Sequence, residues 1–224
     1  KFLTNLKDLN VSFLLGSVET FDSIIGSTTV LMLFGGQYQL TPSEVSVQKV
    51  SVENSETNVS SMAGYGYNSH IAKQIPFHGG ALAVIESMAK IVAAGGNYKN
   101  IRFTFQEYFE RLGKDSKKWG KPLSALLGTL YVQKKFGLPS IGGKDSMSGT
   151  FNELNVPPTL VSFAVSIVNA ENVISSELKK AGNNVYLVDT PCDENDLPNL
   201  DELKYNFNFI SENIKNKNIV SAIA

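Results

Sequence analysis

The spacing of hydrophobic and polar positions changes several times along the chain, and each pattern predicts an element. Thr29-Val30-Leu31-Met32-Leu33-Phe34 is a short apolar run closed by Gly35-Gly36, which reads as a strand. Residues 45–52 alternate apolar and polar, as in a half-buried strand. Residues 53–78 are polar, with Gly, Asn and Ser throughout, and predict a long functional or mobile loop. A helix is expected over 79–94, with Leu82, Ile85, Ala89 and Val92 on one face and Gly95-Gly96 as its stop. Residues 101–105 predict a strand and 106–112 a short helix. The clearest period is Leu123, Leu126, Leu127 and Leu130, spaced i, i+3, i+4, i+7 as on an amphipathic helix, with Gly137 and Pro139 ending it. A strand is expected over 159–168. Beyond it, 185–188 reads as a further strand, and Leu200, Leu203, Phe207, Ile210 and Ile214 share one face of a last helix.

Strands and helices mix without a strict βαβ rhythm, so the pattern favours α+β over a doubly wound parallel sheet. The texture changes near Ala181-Gly182-Asn183-Asn184. One strand and one helix cannot bury a core alone, so the tail reads as the start of a second, truncated α+β domain. The expected organisation is a lead-in over 1–26, an α+β domain over 27–178, and the beginning of the second domain over 179–224. The chain opens at Lys1 without Met and stops directly after an apolar run, which reads as a piece of something longer.

Composition narrows the class. With 224 residues, 42% of them hydrophobic, 18% charged and a net charge of −1, the chain can bury a real core and shows neither disorder nor a basic surplus for nucleic acid. Its apolar stretches are too short to span a bilayer, and no secretory signal opens it. The single cysteine, Cys192, excludes an internal disulfide and fits a reducing, cytosolic setting.

Candidate chemistry concentrates in Gly142-Gly143-Lys144-Asp145-Ser146-Met147-Ser148-Gly149-Thr150. A glycine pair lets backbone approach a ligand closely, and a cation, a carboxylate and three hydroxyls follow it. Pinned between strand-like runs, this glycine-hinged turn suits a phosphorylated ligand. A plain Gly- and Ser-rich surface turn has the same composition. Glu86 falls at the edge of the buried stripe of the 79–94 helix, where a carboxylate can reach a cleft and hold Mg²⁺. An i, i+4 pair with Lys90 is the simpler reading. His78 stands at the start of the same helix, where backbone N–H groups can bind an anion, although such a histidine is more often structural. With two histidines and one cysteine, zinc is implausible, and no nucleophile with a base in context occurs. Lys114, Lys117, Lys118 and Lys121 around Trp119 read as a solvated loop, and no Walker-type phosphate loop is present.

Gly142-Gly143-Lys144-Asp145-Ser146-Met147-Ser148, with Val156-Pro157-Pro158-Thr159-Leu160-Val161-Ser162-Phe163-Ala164, closely resembles the large, single-chain phosphoribosylformylglycinamidine synthases of purine biosynthesis. Further stretches agree in order: Phe21-Asp22-Ser23-Ile24-Ile25-Gly26, Phe34-Gly35-Gly36-Gln37-Tyr38-Gln39-Leu40-Thr41-Pro42 and His78-Gly79-Gly80-Ala81-Leu82-Ala83-Val84-Ile85-Glu86-Ser87. Thr104-Phe105-Gln106-Glu107-Tyr108-Phe109-Glu110-Arg111-Leu112 and Trp119-Gly120-Lys121-Pro122 complete a resemblance covering most of residues 18–190.

The resemblance implies an amidoligase that uses ATP and glutamine to convert formylglycinamide ribonucleotide to the amidine. It implies the N-terminal α+β domain of an aminoimidazole ribonucleotide synthetase-like module, with a mixed sheet and helices on one face. The module would be the second of two, and the sheets of the paired N-terminal domains would pack together. Carried over residue by residue, Gly143, Lys144, Asp145 and Ser146 fall in a turn that contacts nucleotide and substrate phosphate. Glu86, and more loosely Glu44, match carboxylates that bind Mg²⁺ beside an auxiliary ADP. The chain departs from the pattern at Lys90, where the long form can carry an asparagine ligand, because an ammonium cannot ligate Mg²⁺. Lys144 likewise replaces an asparagine metal ligand of the short form. Neither the histidine-rich motif of the first module nor a glutaminase cysteine is present, so no catalytic residue is assigned and the fragment is expected to be inactive alone. Expected partners are the first synthetase module, the glutaminase domain, or a second copy meeting the exposed sheet face. Nucleic acid and membrane are not expected. Two other readings stand beside this one: a degenerate scaffold half that pairs with the catalytic module, and a free-standing selenophosphate or aminoimidazole synthetase, against which the specific motifs argue.

Overall fold

The computed structural model describes residues 2–7, 16, 20, 24 and 27–224. Most of the expected lead-in, with the Phe21–Gly26 motif except Ile24, lies outside the described residues. A single helical turn, α1 (Phe2–Asn5), is followed by a short antiparallel pair, β1 (Phe34–Gly35) with β2 (Thr41–Pro42). Then come β3 (Val45–Lys49), β4 (Val59–Gly66), α2 (Ser69–Gln74), α3 (Pro76–Ala93), β5 (Arg102–Tyr108), α4 (Ser116–Phe136) and β6 (Ser140–Lys144). A two-stranded excursion, β7 (Thr150–Phe151) and β8 (Leu154–Asn155), precedes β9 (Thr159–Asn169), and α5 (Leu200–Lys215) closes the order. The central sheet runs β3-β4-β9-β5-β6, antiparallel except for the parallel β5–β6 pair. This is the expected mixed sheet of an α+β fold.

The elements follow from burial. Along β4 the inward positions are Ser60, Met62, Gly64 and Gly66, and along β9 they are Leu160, Ser162, Ala164, Ser166 and Val168. Small inward side chains bring α3 close against both strands, and Ser87 Oγ lies 2.9 Å from Ser162 Oγ across the contact. Phe103, Phe109, Met62, Met88 and Ile91 are fully buried at this layer. Burying each side chain of this size contributes about 1.5–3 kcal/mol. The tail joins the same core: Leu200, Leu203 and Phe207 of α5 are buried, with the Tyr98 ring centroid 5.6 Å from Phe136 and 5.8 Å from Phe207.

Several expectations need correction. The apolar run 29–34 is no strand, because only Thr29 bridges to Gln48 and only Phe34 enters β1. The polar segment 53–78 holds β4 and α2, whose buried residues, Met62 apart, are Ser60, Gly64, Gly66 and Ala72, too small or polar to raise the hydropathy. Residues 106–112 form no helix: β5 continues to Tyr108, held by its pairing with β9. Residues 185–188 pair with no strand, and Val185, Tyr186 and Leu187 are exposed. The largest correction is the orientation of α4. Leu123, Leu126, Leu127 and Leu130 face out, at 59%, 41%, 47% and 49% exposure, whereas Pro122, Ala125, Gly128, Thr129, Val132 and Phe136 are buried. The reason lies in the α3–α4 contact, where a Cβ on Gly80 would sit 2.2 Å from Ala125 O and one on Gly128 would sit 2.0 Å from Phe77 O. Backbones this close admit only small residues, so the leucines turn away.

Candidate functional site

The glycine-lysine-aspartate segment lies at one edge of the sheet. Gly142, Gly143 and Lys144 belong to β6 rather than to a hinged turn, and the chain leaves the sheet only after Lys144. Gly143 is the position that must lack a side chain, because a Cβ there would lie 2.5 Å from Phe105 O on the neighbouring strand. Beyond Lys144 the loop is tied to the end of β5. Ser146 N donates to Glu107 O at 3.1 Å, Phe109 N donates to Ser146 O at 2.9 Å, and Gly149 N donates to Phe109 O at 2.9 Å. Lys144 and Asp145 stay exposed, and the Ser146 and Ser148 hydroxyls lie 2.9 Å apart at the loop surface. An exposed ammonium beside paired hydroxyls, fixed by backbone bonds to a rigid strand, can take an oxyanion.

Two buried carboxylates under this loop escaped the sequence reading. Glu107, 9% exposed, points inward from β5. Burial first, and the nearby Asp145 charge second, push its carboxyl above the ordinary range. Its signal was its phase: it follows Phe103 and Phe105 at every second position of β5. Glu110 is also buried and accepts from Lys121 and, at 3.0 Å, from Lys118. The Lys121 hydrogen bond, ahead of the Lys118 contact, holds its carboxyl below the ordinary range against the opposing effect of burial. Lys118 and Lys121 thus lie in α4 as ion-pair partners and not in a solvated loop, and Trp119 Nε1 donates to Gly113 O at 3.0 Å.

The second group of candidates sits on the other side of the sheet's centre, where α3 meets β4. Glu86 Oε2 accepts from Tyr67 N at 3.0 Å and Oε1 accepts from Lys90 Nζ at 2.6 Å. Glu44, just before β3, accepts from Ala224 N at 2.8 Å, and burial raises its carboxyl while the Lys90 charge pulls it back. Glu86 and Glu44 therefore share one neighbourhood with Lys90. They lie apart from the Lys144 segment, which borders the opposite edge of the sheet. Among the described residues no group of three or more His, Cys, Asp or Glu could hold a metal ion. His78 Nε2 donates to Asn195 O at 2.6 Å, which pins the loop before α5 to the start of α3. Cys192 is exposed, and no helix of the described residues is long and apolar enough to cross a membrane.

No protein-family model matches the chain. Among curated proteins, the chain is 24% identical over 196 residues to the phosphoribosylformylglycinamidine synthase subunit PurL of Thermoplasma volcanium, a match covering 83% of this chain and 24% of the relative. The chain therefore spans about a quarter of that relative's length. Solved structures show the same fold. PurL of Thermotoga maritima complexed with AMPPCP aligns with a TM-score of 0.66 at 20% identity, over 94% of this chain and 31% of that one. PurL of the same organism complexed with FGAR aligns with a TM-score of 0.65 at 20% identity, over 88% of this chain and 28% of the other. The T. maritima PurLQS structure aligns with a TM-score of 0.57 at 21% identity, over 73% of this chain and 25% of that one. In sequence and in fold, the chain is similar to the PurL synthetase subunit of phosphoribosylformylglycinamidine synthase, the relationship its motifs imply.

Proposed function

We propose that the chain is part of an ATP-dependent amidoligase that converts formylglycinamide ribonucleotide to formylglycinamidine ribonucleotide with glutamine as the nitrogen source. Its part is to supply phosphate contacts at the β6 edge. The observation that carries this reading is the Gly143–Ser146 segment. Its residues resemble the family's motif, Lys144 is exposed, and Ser146 is tied through its backbone to Glu107 and Phe109. Solved relatives complexed with AMPPCP and with FGAR support it. Residues 27–178 would be the N-terminal domain of the second synthetase module and 179–224 the start of the next domain. The outer sheet face, with Tyr65, Val165 and Ile167 exposed, would meet the sheet of the first module. A cytoplasmic location and a glutaminase partner follow from this reading.

Chemically, a phosphate oxygen at this edge would receive the Lys144 charge and hydroxyl donors from Ser146 and Ser148. These are contacts that bind and orient. No proton transfer or bond cleavage is assigned to them. A carboxylate pair at Glu86 and Glu44 would be needed for an auxiliary Mg²⁺-nucleotide site. The ion pair of Glu86 with Lys90 favours the second reading for that part of the molecule, a scaffold without ligand. Substitution separates the two roles at the β6 edge. Lys144→Ala in the intact enzyme should raise KM for nucleotide or for ribonucleotide about tenfold or more, the size of one charge-assisted hydrogen bond of about 1.5–3 kcal/mol. A kcat and both KM values equal to the wild type would make this edge scaffold as well.

A further inference from the structure

Lys90 is more deeply buried than the carboxylate it pairs with: its side chain is 12% exposed, that of Glu86 39%. Its Nζ donates to Glu86 Oε1 at 2.6 Å and to Tyr65 O at 3.0 Å, and it stands 4.6 Å from the centroid of the Tyr65 ring. Glu44 lies within reach of the Lys90 charge, and the two line one cavity of about 10 Å³ with Val45, Ala93 and Ser175. The ammonium is thus enclosed by a carboxylate, a carbonyl and an aromatic face, with a second carboxylate nearby. Oxygen-rich surroundings of this kind are what a hard cation takes.

We propose that the Lys90 ammonium replaces a divalent cation at the Glu86–Glu44 pair, so that this junction of α3, β4 and the segment before β3 is closed by a tethered charge and binds no metal. Two observations exclude Mg²⁺ there. An ammonium at 2.6 Å from Glu86 Oε1 repels a second cation at that oxygen. Glu86 Oε2 already accepts the Tyr67 N–H at 3.0 Å. Mg²⁺ would also bring several waters in a near-octahedral shell. A lysine needs no such shell, because its three donors fit two oxygens and a ring face at hydrogen-bond rather than coordination distance. Glu86, expected as a metal ligand, instead pairs with a cation that the chain itself supplies.

Mn²⁺ tests this as a paramagnetic substitute for Mg²⁺, read by the loss of the free-ion electron paramagnetic resonance signal. The wild-type chain should leave the signal of millimolar Mn²⁺ unchanged and melt at the same temperature in EDTA and in MgCl₂. Lys90→Asn, which restores an oxygen donor and removes the charge, should gain saturable Mn²⁺ binding, and the added Glu86→Gln change should abolish it. Saturable binding by the wild type that is lost in Glu86→Gln overturns the proposal. So does a folded Lys90→Asn chain that gains no binding. If Lys90→Asn does not fold, the wild-type titration with Glu86→Gln decides alone. None of these results bears on the Lys144 edge, whose test is kinetic.

Discussion

Glu107 shows what a single position can do beside the loop that follows β6. Its side chain takes an inward place on β5 that Phe103 and Phe105 also take, and burial with Asp145 nearby raises its carboxyl above the ordinary value of 4.5. The folded state therefore holds this proton more tightly than the unfolded chain does. Stability from it is full in acid and is lost as pH rises from the ordinary carboxylate value through the raised one. At neutral pH the ionised side chain is a net cost. Glu107→Gln should accordingly make the chain more resistant to urea at neutral pH, with the difference vanishing in mild acid. Equal gains at both pH values would mean the charge is not the cause. The sequence carried the position of Glu107 in its alternation, yet its polar side chain hid it from a reading by hydropathy. The pairing of Glu86 with Lys90 was legible as an i, i+4 spacing. The approach of Tyr65 and Glu44 was not, since it comes from β4 and from the segment before β3.

At the scale of elements, α4 is the instructive case. Its existence and its end at Phe136 were plain from spacing and from Gly137, but its orientation was not. A leucine stripe points to a buried face only when the partner helix leaves room, and α3 presents Gly80 and the Phe77 carbonyl instead. Packing of backbone on backbone through Ala125 and Gly128 fixes the rotation of the helix, and the four leucines follow it outward. Gly128→Ala gains about 1 kcal/mol of helix propensity. The new methyl would stand 2.0 Å from Phe77 O, a backbone atom that cannot yield cheaply. Overpacking of this kind costs about 1–3 kcal/mol, at its upper end against a backbone, so net destabilisation is expected. Leu126→Ala, on the exposed face, should cost under about 0.5 kcal/mol. Thermal denaturation of the two variants reads the difference, and the reverse order would put the leucine face in contact. β4 was missed for a related reason: its inward Ser60, Gly64 and Gly66 serve the close approach of α3 and carry no hydrophobic signal.

Across the whole molecule, one mixed sheet has α3 on its inner face, α4 packed on α3, and α5 joining the same core through Phe207 and Tyr98. The α+β class came from the mixture of periods. The strand order β3-β4-β9-β5-β6 did not, because the β4–β9 and β5–β9 pairings join segments distant in sequence. This topology sets the Lys144 segment on the edge strand β6 and the Glu86–Lys90 pair where α3 meets β4, so the two groups of candidates lie at opposite ends of the sheet. The sharpest test is chemical footprinting of Lys144 in the intact enzyme: brief acetylation, with the extent at each lysine read by mass spectrometry, with and without nucleotide and formylglycinamide ribonucleotide. Lys144 should be modified in the free enzyme and protected several-fold by at least one of the two ligands, while the exposed Lys117 on α4 is unaffected. Equal modification of Lys144 with and without both ligands would contradict the assignment of the β6 edge to phosphate binding.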